Sequence, residues 1–594
     1  MRPRSATLVA TATILLLSSP PPASASPVTG GGADGTDDKV SGQTYVRHDL
    51  KTDDTIDLCN STEPKDFGNL TQNNEPFLVV SPTNPDLVIA GWNDYCSGWM
   101  GLGFSTNGGE DWTNSLVPSY VGDTSGEGQA TPEFGRTNEA SDPVGAFNAD
   151  GTMFYFGAIS YNGAAGPKTN SDVWVARYAV RDTEDAGYES YPLDFLGITQ
   201  VDRGPAAANF FGRFQDKEMI EVDRSPTSPH EGNLYECWTK FPGFGESRIY
   251  FARSTDEGAT FENKIQIGQR FAGQGCDIAI ESDGDIYVIW RDFELPGSKK
   301  NFGISFVRST DGGLTFSKPN KIADLDQYLP FDTARDCGDG TEACPSGFVF
   351  ARVPLEPRVT SDPTGQLPGV YAVVQATDPA TTEESETSYS STSTPGVVGR
   401  GVVYVYRSVD DGRTWTGPYT VTDAPLGHQI FPDVDALDGK LAVVWQDSRT
   451  DPCYSLQLPI GNTTSATNCG DAVVNSFVAV SDDGTTFGPT EMVSSVGNNP
   501  QYEMFAARQV PFYGDYNWIQ LIDLDPETPE SALFGYATWT DNRDVLVGPD
   551  PRETVQDGFD VNQCLTDPDD PNANTCPNSG GLDQNIYGSS ISIP

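Results

Sequence analysis

The sequence predicts an all-β fold, a β-propeller of four-stranded blades, and three observations carry that expectation. A turn pattern, Ser-x-Asp-x-Gly-x-Thr-aromatic, recurs five times along the chain. Seven apolar runs of strand length recur between these turns, most of them ending in Trp and a polar or acidic residue. Helical periodicity is nearly absent, while 61 Gly and 44 Pro punctuate many short strand-like segments. Recurrence of this kind marks a unit that cannot bury its apolar faces alone and stacks against its neighbours.

The turn copies are STNGGEDW (105–112), STDEGATF (254–261), STDGGLTF (309–316), SVDDGRTW (408–415) and VSDDGTTF (480–487). Each follows a strand-like run, such as 303–307 or 402–406, and reads as a hairpin tip. The carboxylate accepts hydrogen bonds from backbone N–H groups of the turn, and the Gly takes a φ > 0 conformation. The closing Phe or Trp starts the return strand and packs between sheets. In the first copy Asn107 replaces the Asp and Asp111 the Thr, and in the last Val480 stands at the Ser position. The pattern matches the Asp-box (BNR) repeat, so the chain resembles sialidase-like β-propellers over most of its length. That resemblance implies a glycosidase-like site in a central pocket, with the Asp boxes on the face away from it.

The strand-like runs fall in order at 87–94, 153–160, 233–240, 285–292, 369–376, 440–447 and 533–541. Each has a partner run upstream, as at 219–223, 277–280 and 433–436, and where an Asp box is present it follows downstream. The unit therefore reads strand, turn, Trp strand, loop, strand, Asp box, strand. The run at 171–178 reads as a third strand without its Asp box, and 585–593 as a strand that closes the ring. Seven blades are expected; six, the sialidase number, with one extra hairpin is the alternative. The Ser/Thr-rich stretch 377–399 is expected to be a mobile insertion. The Trp residues 92, 238, 290, 445 and 539 are expected between blades. Asp447-Ser448-Arg449 and Asp541-Asn542-Arg543 are expected to form ion pairs that fix the following loops.

Three segments follow. Residues 1–25 read as a signal peptide, with Arg2 and Arg4, an apolar stretch 8–17 and a small-residue Ala23-Ser24-Ala25 site. Residues 26–44 read as a flexible leader and 45–594 as a single propeller domain with loop insertions. A secreted protein is expected. No later apolar run reaches the about 18 residues of a membrane span. The formal charge of -48 excludes nucleic acid and anionic membranes as partners by repulsion. No cofactor is expected for catalysis; acidic loops such as 523–525 and 567–570 could take calcium as a structural ion. Ten cysteines fit an oxidising compartment, with sequence neighbours suggesting Cys59–Cys96, Cys237–Cys276, Cys337–Cys344, Cys453–Cys469 and Cys564–Cys576. Three His and no CxxC argue against zinc and against a Cys nucleophile. A monomer is expected.

In a propeller the first strand of each blade starts near the axis, so those starts converge from distant parts of the chain. They carry Glu75, Asp142, Asp216-Lys217, Asp277, Arg358, Asp433 and Asp515-Tyr516. A pocket rich in carboxylates suits glycoside hydrolysis, which needs one protonated carboxyl as acid and a second group as base or nucleophile. The catalytic candidates are Glu75, Asp142, Asp216, Asp433 and Asp515, with Tyr516 as a phenolic nucleophile or base. Lys217, Arg358 and Arg213 are the candidates for binding an acidic sugar. Sialidases carry Arg-Ile-Pro in the first blade. Here that place holds Asn74-Glu75-Pro76, and the nearest look-alike, Ala351-Arg352-Val353-Pro354, lies mid-chain, so the arginine triad is not carried over. Tyr502-Glu503 is similar to the sialidase Tyr and Glu partners. The expected activity is a sialidase-like glycoside hydrolase acting on extracellular glycan or glycoconjugate. The alternatives are a non-catalytic carbohydrate- or protein-binding propeller and a polysaccharide lyase acting on uronates.

Overall fold

The structure, a computed structural model, describes residues 29–30, 37–42, 45–47, 72–162, 170–204, 213–243, 246–271, 273–293, 302–333, 352–353, 355–460, 473–500, 512–523, 533–544 and 584–593. Seven antiparallel four-stranded sheets follow one another along the chain as blades. Their innermost strands are Asn73–Val80, Glu139–Phe147, Phe214–Val222, Gly273–Ile280, Arg358–Ser361, Gln429–Leu437 and Trp518–Asp523. Each inner strand lies beside that of the next blade, and the seventh lies beside the first. The fold is the seven-bladed alternative, not six with an added hairpin.

The ring closes by mixing the two ends of the chain. Blade 7 takes three strands from the C-terminal part, ending with Asn585–Ile593. Its outer edge is covered by Thr29–Gly30 and Asp38–Lys39, which pair with Ser592–Ile591 and Gly588–Tyr587. Part of the stretch expected as a flexible leader is thus an integral strand. It is held by Lys39 on Asp544 at 2.8 Å and by Arg543 on Asp37 at 2.7 Å. Pairing here removes a sheet edge that would otherwise offer unpaired N–H and C=O groups.

Side chains between adjacent sheets make the core. Trp92, Trp238, Trp290, Trp445 and Trp539 are all fully buried there. Trp445 and Trp539 each donate Nε1 at 3.0 Å to the aspartate two residues on, and Arg449 and Arg543 grip the same carboxylates. The two Asp-x-Arg segments are therefore ion pairs that hold the loop after the strand. Cys237 and Cys276 form a disulfide between blades 3 and 4. Cys96 and Cys453 are also disulfide-bonded, while the remaining cysteines of the expected pairs lie outside the described residues. Residues 377–399, expected to be mobile, instead form short ladders, Glu383–Glu384 with Val397–Val398 and Tyr389–Ser390 with Phe331–Asp332. Buried Tyr389 and Val398 pack against Leu456 and Leu458. Among the described residues no helix is long and apolar enough to cross a membrane.

The Asp boxes connect the third and fourth strands of blades 1, 3, 4, 5 and 6. In blade 3 Asp256 accepts from the Thr260 N–H at 2.9 Å and its hydroxyl at 2.6 Å, while Ser254 Oγ accepts from the Gly258 N–H at 2.9 Å. Blade 1 preserves the bond by exchanging roles: the Asn107 amide donates to Asp111 at 3.0 Å where an Asp elsewhere accepts from Thr. The closing aromatics reach the preceding blade, Phe316 onto Phe251 and Trp415 onto Phe306, with ring centroids 4.8 and 5.4 Å apart.

The fifth copy corrects the sequence alignment by one residue. Ser481, not Val480, accepts from the Gly484 N–H, and Asp483, not Asp482, accepts from the N–H groups of Thr485 and Thr486 at 2.8 and 2.6 Å. The turn is one residue shorter, and Asp482 reaches out to Lys440 at the surface. Asp483→Ala is expected to lower unfolding free energy by about 1–3 kcal/mol, because it orphans turn N–H groups, whereas Asp482→Ala is expected to cost no more than about 0.5 kcal/mol. Urea denaturation of the two variants separates the registers; the reverse order of losses would restore the original alignment.

Candidate functional site

The starts of the inner strands share one device. Glu75, Asp142, Lys217 and Phe431 have φ of 55°, 60°, 54° and 51°, and Gly275 and Gly514 lie at 66° and 83°. At five of these six positions the ladder with the second strand slips in register, at 74/77, 141/144, 216/219, 274/276 and 430/433. These are β-bulges, which leave one residue unpaired and re-aim its side chain. Pro follows Glu75, Asp142 and Phe431, and having no N–H it leaves no donor orphaned at the slip. A side chain held at positive φ costs on the order of 1 kcal/mol or more, so tertiary contacts must hold it there.

Those contacts are electrostatic. The Lys217 ammonium of blade 3 lies 3.3 Å from Glu75 Oε1 of blade 1, 3.7 Å from Asp142 Oδ1 of blade 2 and 2.7 Å from Asp515 Oδ2 of blade 7. The four side chains are 1–8% exposed. Arg352, a third exposed at the rim, forks onto both oxygens of Asp515 and stacks on Phe512 at 4.8 Å. Asn93 donates to Glu75 Oε2 at 2.6 Å and accepts the Asp142 N–H at 3.0 Å. Gly514 is required by close approach, since a Cβ there would stand 2.9 Å from Glu75.

Charge is distributed unevenly among the three acids. Burial pushes the Glu75 carboxyl well above its ordinary value, and Lys217 only partly offsets it. Burial also raises Asp142, but the Lys217 charge and a hydrogen bond with Glu75 outweigh it and hold Asp142 below the usual carboxylate range. Asp515 is held well below that range: burial opposes this, but Arg352 and Lys217 together prevail. Lys217 is raised because its three partners overcome its own desolvation. The cluster therefore drives its acids apart, Glu75 toward the protonated form and Asp142 and Asp515 toward the carboxylate.

The remaining sequence candidates are placed differently. Asp216 turns to the Gln274 amide of blade 4, and burial pushes it up to about 7. Tyr516 lies under Lys217, with Nζ 5.2 Å from the ring centroid. Its hydroxyl donates to the Pro143 carbonyl at 3.1 Å and burial raises it far above its ordinary value, so it is a platform and not a poised nucleophile. Asp433 and Arg358 sit farther along the channel, 3.8 Å apart, and do not join the cluster. Arg213 is exposed and is not brought to the axis. Arg352, Asn93 and the buried acids Glu218 and Glu236, whose carboxyls have no hydrogen-bond partner and are raised by burial, escaped the sequence reading. The one available signal was the Arg352-Val353 segment. Tyr502-Glu503 and the tract 567–570 lie outside the described residues. The metal-like grouping among the described residues is Glu281, Asp283 and Asp285, at a strand turn of blade 4, where Asp285 is paired with Arg308.

Fold and site together define a seven-bladed β-propeller with Asp-box turns and a charged cluster on its axis. No protein-family model and no curated protein matches the sequence. Among solved structures the chain is similar to the Hadza microbial sialidase Hz136, at 12% identity and TM-score 0.36, with 64% of each chain covered. It is similar to a Trypanosoma rangeli sialidase in complex with the inhibitor DANA, at 12% identity and TM-score 0.35, over 64% of this chain and 53% of that one. A third is the GH93 α-L-arabinofuranosidase of Fusarium graminearum, at 13% identity and TM-score 0.33, over 64% of this chain and 90% of that one. The chain thus spans less than two thirds of the length of either sialidase. Identities this low carry no activity across.

Two outcomes test the electrostatics. Lys217→Met leaves three buried carboxyls without their shared counter-charge, so it is expected to cost about 3–5 kcal/mol at pH 7 and to regain part of that as acid protonates them. A loss equal at pH 5 and pH 8 in chemical denaturation would assign the effect to packing. Glu75, raised in the folded state, contributes fully below its ordinary value of about 4.3 and loses that contribution as pH rises toward its folded value. Glu75→Gln fixes the neutral form, so its stability should fall less between pH 5 and 9 than that of the wild type. Parallel melting curves would show that Glu75 is ionised.

Proposed function

We propose that the protein is a glycoside hydrolase acting on extracellular glycan through the Lys217 cluster. The observation that carries this reading is the gathering of three buried acids on one ammonium, with the acidities of Glu75 and Asp142 pushed in opposite directions. Glu75 keeps a proton to give, whereas Asp142 is a carboxylate. Paired titratable groups driven apart in this way divide acid and base roles between them. Glu75 protonates the glycosidic oxygen as the C–O bond breaks, and Asp142 attacks the anomeric carbon to form a glycosyl ester. Water then cleaves the ester, giving its proton back to Glu75. Asp515, clamped by Arg352 and Lys217, is too weakly basic to compete as nucleophile, and it fixes Lys217. A route through a glycosyl ester of this kind gives retention of configuration.

A second reading, a non-catalytic binding propeller, is favoured by one observation. The cluster acids are at most 8% exposed and Lys217 occupies the space between them, as a polar plug of the ring would require. The test is turnover on a panel of aryl glycosides and plant and animal polysaccharides, with anomeric configuration followed by NMR. The expected result is new reducing ends formed with retention, reduced by about a hundredfold or more in Glu75→Gln and Asp142→Asn, with both variants still folded. Products absorbing as unsaturated uronates would make it a lyase. Specific retention on a glycan without product would leave the binding reading, and unchanged turnover in both variants would remove the cluster from the chemistry.

A further inference from the structure

The axial channel has a second polar chamber at the mouth opposite the Lys217 cluster, formed by the far halves of the inner strands. Among its lining residues are Glu221, Asp277, Arg358, Asp433, Asp435 and Trp518. Tyr516 divides it from the cluster, with Lys217 on its ring at 5.2 Å and Arg358 at 4.9 Å.

Arg358 is the informative residue. It is 3% exposed, its Nη1 lies against Met219 Sδ at 3.1 Å, and its Nε stands 3.8 Å from Asp433 Oδ1, beyond hydrogen-bond length. Neither Nε nor Nη2 has a hydrogen-bond partner. Buried donors left idle are costly, so an acceptor belongs in this chamber. An anion is disfavoured there, because four acids share the chamber with two guanidinium groups, Asp277 and Asp433 facing Arg358 and Glu221 and Asp435 facing Arg224. Burial pushes Glu221 and Asp433 up to about 7 and also raises Asp277 and Asp435, outweighing the arginine that lowers each of them. Asp277, Asp433 and Asp435 each accept one backbone N–H from the next blade, of Val359, Ile519 and Leu521 respectively, at 2.7–2.8 Å. A carboxylate has capacity for further donors. The indole of Trp518, partly exposed and 5.5 Å from the Arg358 guanidinium, adds an aromatic surface.

The geometry points to a second ligand site in this chamber for a small neutral polyol or a single sugar ring. Hydroxyl oxygens accept from Arg358 Nε and Nη2, hydroxyl protons go to Asp433 and Asp277, and the C–H face of the ligand lies against Trp518. A neutral polyhydroxy compound is the class that supplies acceptors and donors together without adding charge. The site does not depend on the hydrolase reading, since it shares no residue with the Lys217 cluster.

Calorimetry and ligand-observed NMR on the full chain test it, with myo-inositol, D-galactose and L-arabinose as neutral probes, acetate and phosphate as anions, and putrescine as a cation. Saturable binding of at least one neutral probe is expected. Arg358→Met and Trp518→Leu should weaken it by about tenfold or more, and Glu75→Gln should not. Should both chamber variants fail to fold, a crystal structure of the wild type soaked in the probes decides, with density on Arg358 as the supporting result. Binding confined to the anions or to putrescine overturns the proposal. So does no saturable binding of any neutral probe, or equal weakening in Glu75→Gln and Trp518→Leu. Turnover in the glycan panel is read separately, so failure of either assignment is distinguishable from failure of the other.

Discussion

The site depends on one ammonium group. Lys217 binds carboxylates delivered by the first, second and seventh blades, segments that meet only because the ring is closed. Three acids brought together at the axis without a cation would repel one another and force protonation. With Lys217 and Arg352 present, Asp142 and Asp515 are pushed toward the ionised form while burial pushes Glu75 toward the protonated one. The strained bulges at Glu75, Asp142 and Lys217 point the other way energetically and persist because this network holds them.

A second constraint explains why so many acids line the channel. An inner strand has a ladder partner on one side only, and its other edge faces the axis, where its N–H groups need acceptors. Side chains of the neighbouring blade supply them. Asp142 accepts from the Lys217 N–H, Asp277 from Val359, Gln375 from Phe431, Asp433 from Ile519 and Gln520 from Val80. Inward-facing carboxyls are therefore first a stitch between blades. Asp433 serves that purpose, while Asp142 does so and also faces Lys217. A strand-start acid is by itself ambiguous between the two roles.

Asp boxes and tryptophans work at the other end of each blade. The box turns present an aromatic ring to the preceding sheet, and the buried Trp residues fill the wedge between sheets. These contacts are local in sequence or repeat with the blade. That is why they were readable in advance, although the exchange of roles between Asn107 and Asp111 was shown only by the structure. The single misalignment, at Ser481 and Asp483, arose because a turn one residue shorter still satisfies the same donors.

The sequence by itself determined the repeating unit, the buried Trp strands, the Asp-x-Arg ion pairs and the set of charged strand starts, because each follows from backbone and side-chain preferences within a few residues; seven blades against six was decided by the structure. Only the tertiary structure decided which of those starts meet. Glu75, Asp142, Lys217 and Asp515 lie in four different blades, and their common point is fixed by ring closure and by bulges whose direction no local pattern specifies. The same holds for Arg352, which enters from a loop to reach Asp515, and for Arg213 and Asp433, which the ring leaves elsewhere. The N-terminal stretch around Asp38 looked unstructured because its strand partner lies at the far end of the chain. A pairing between the two ends leaves no trace in the composition of either.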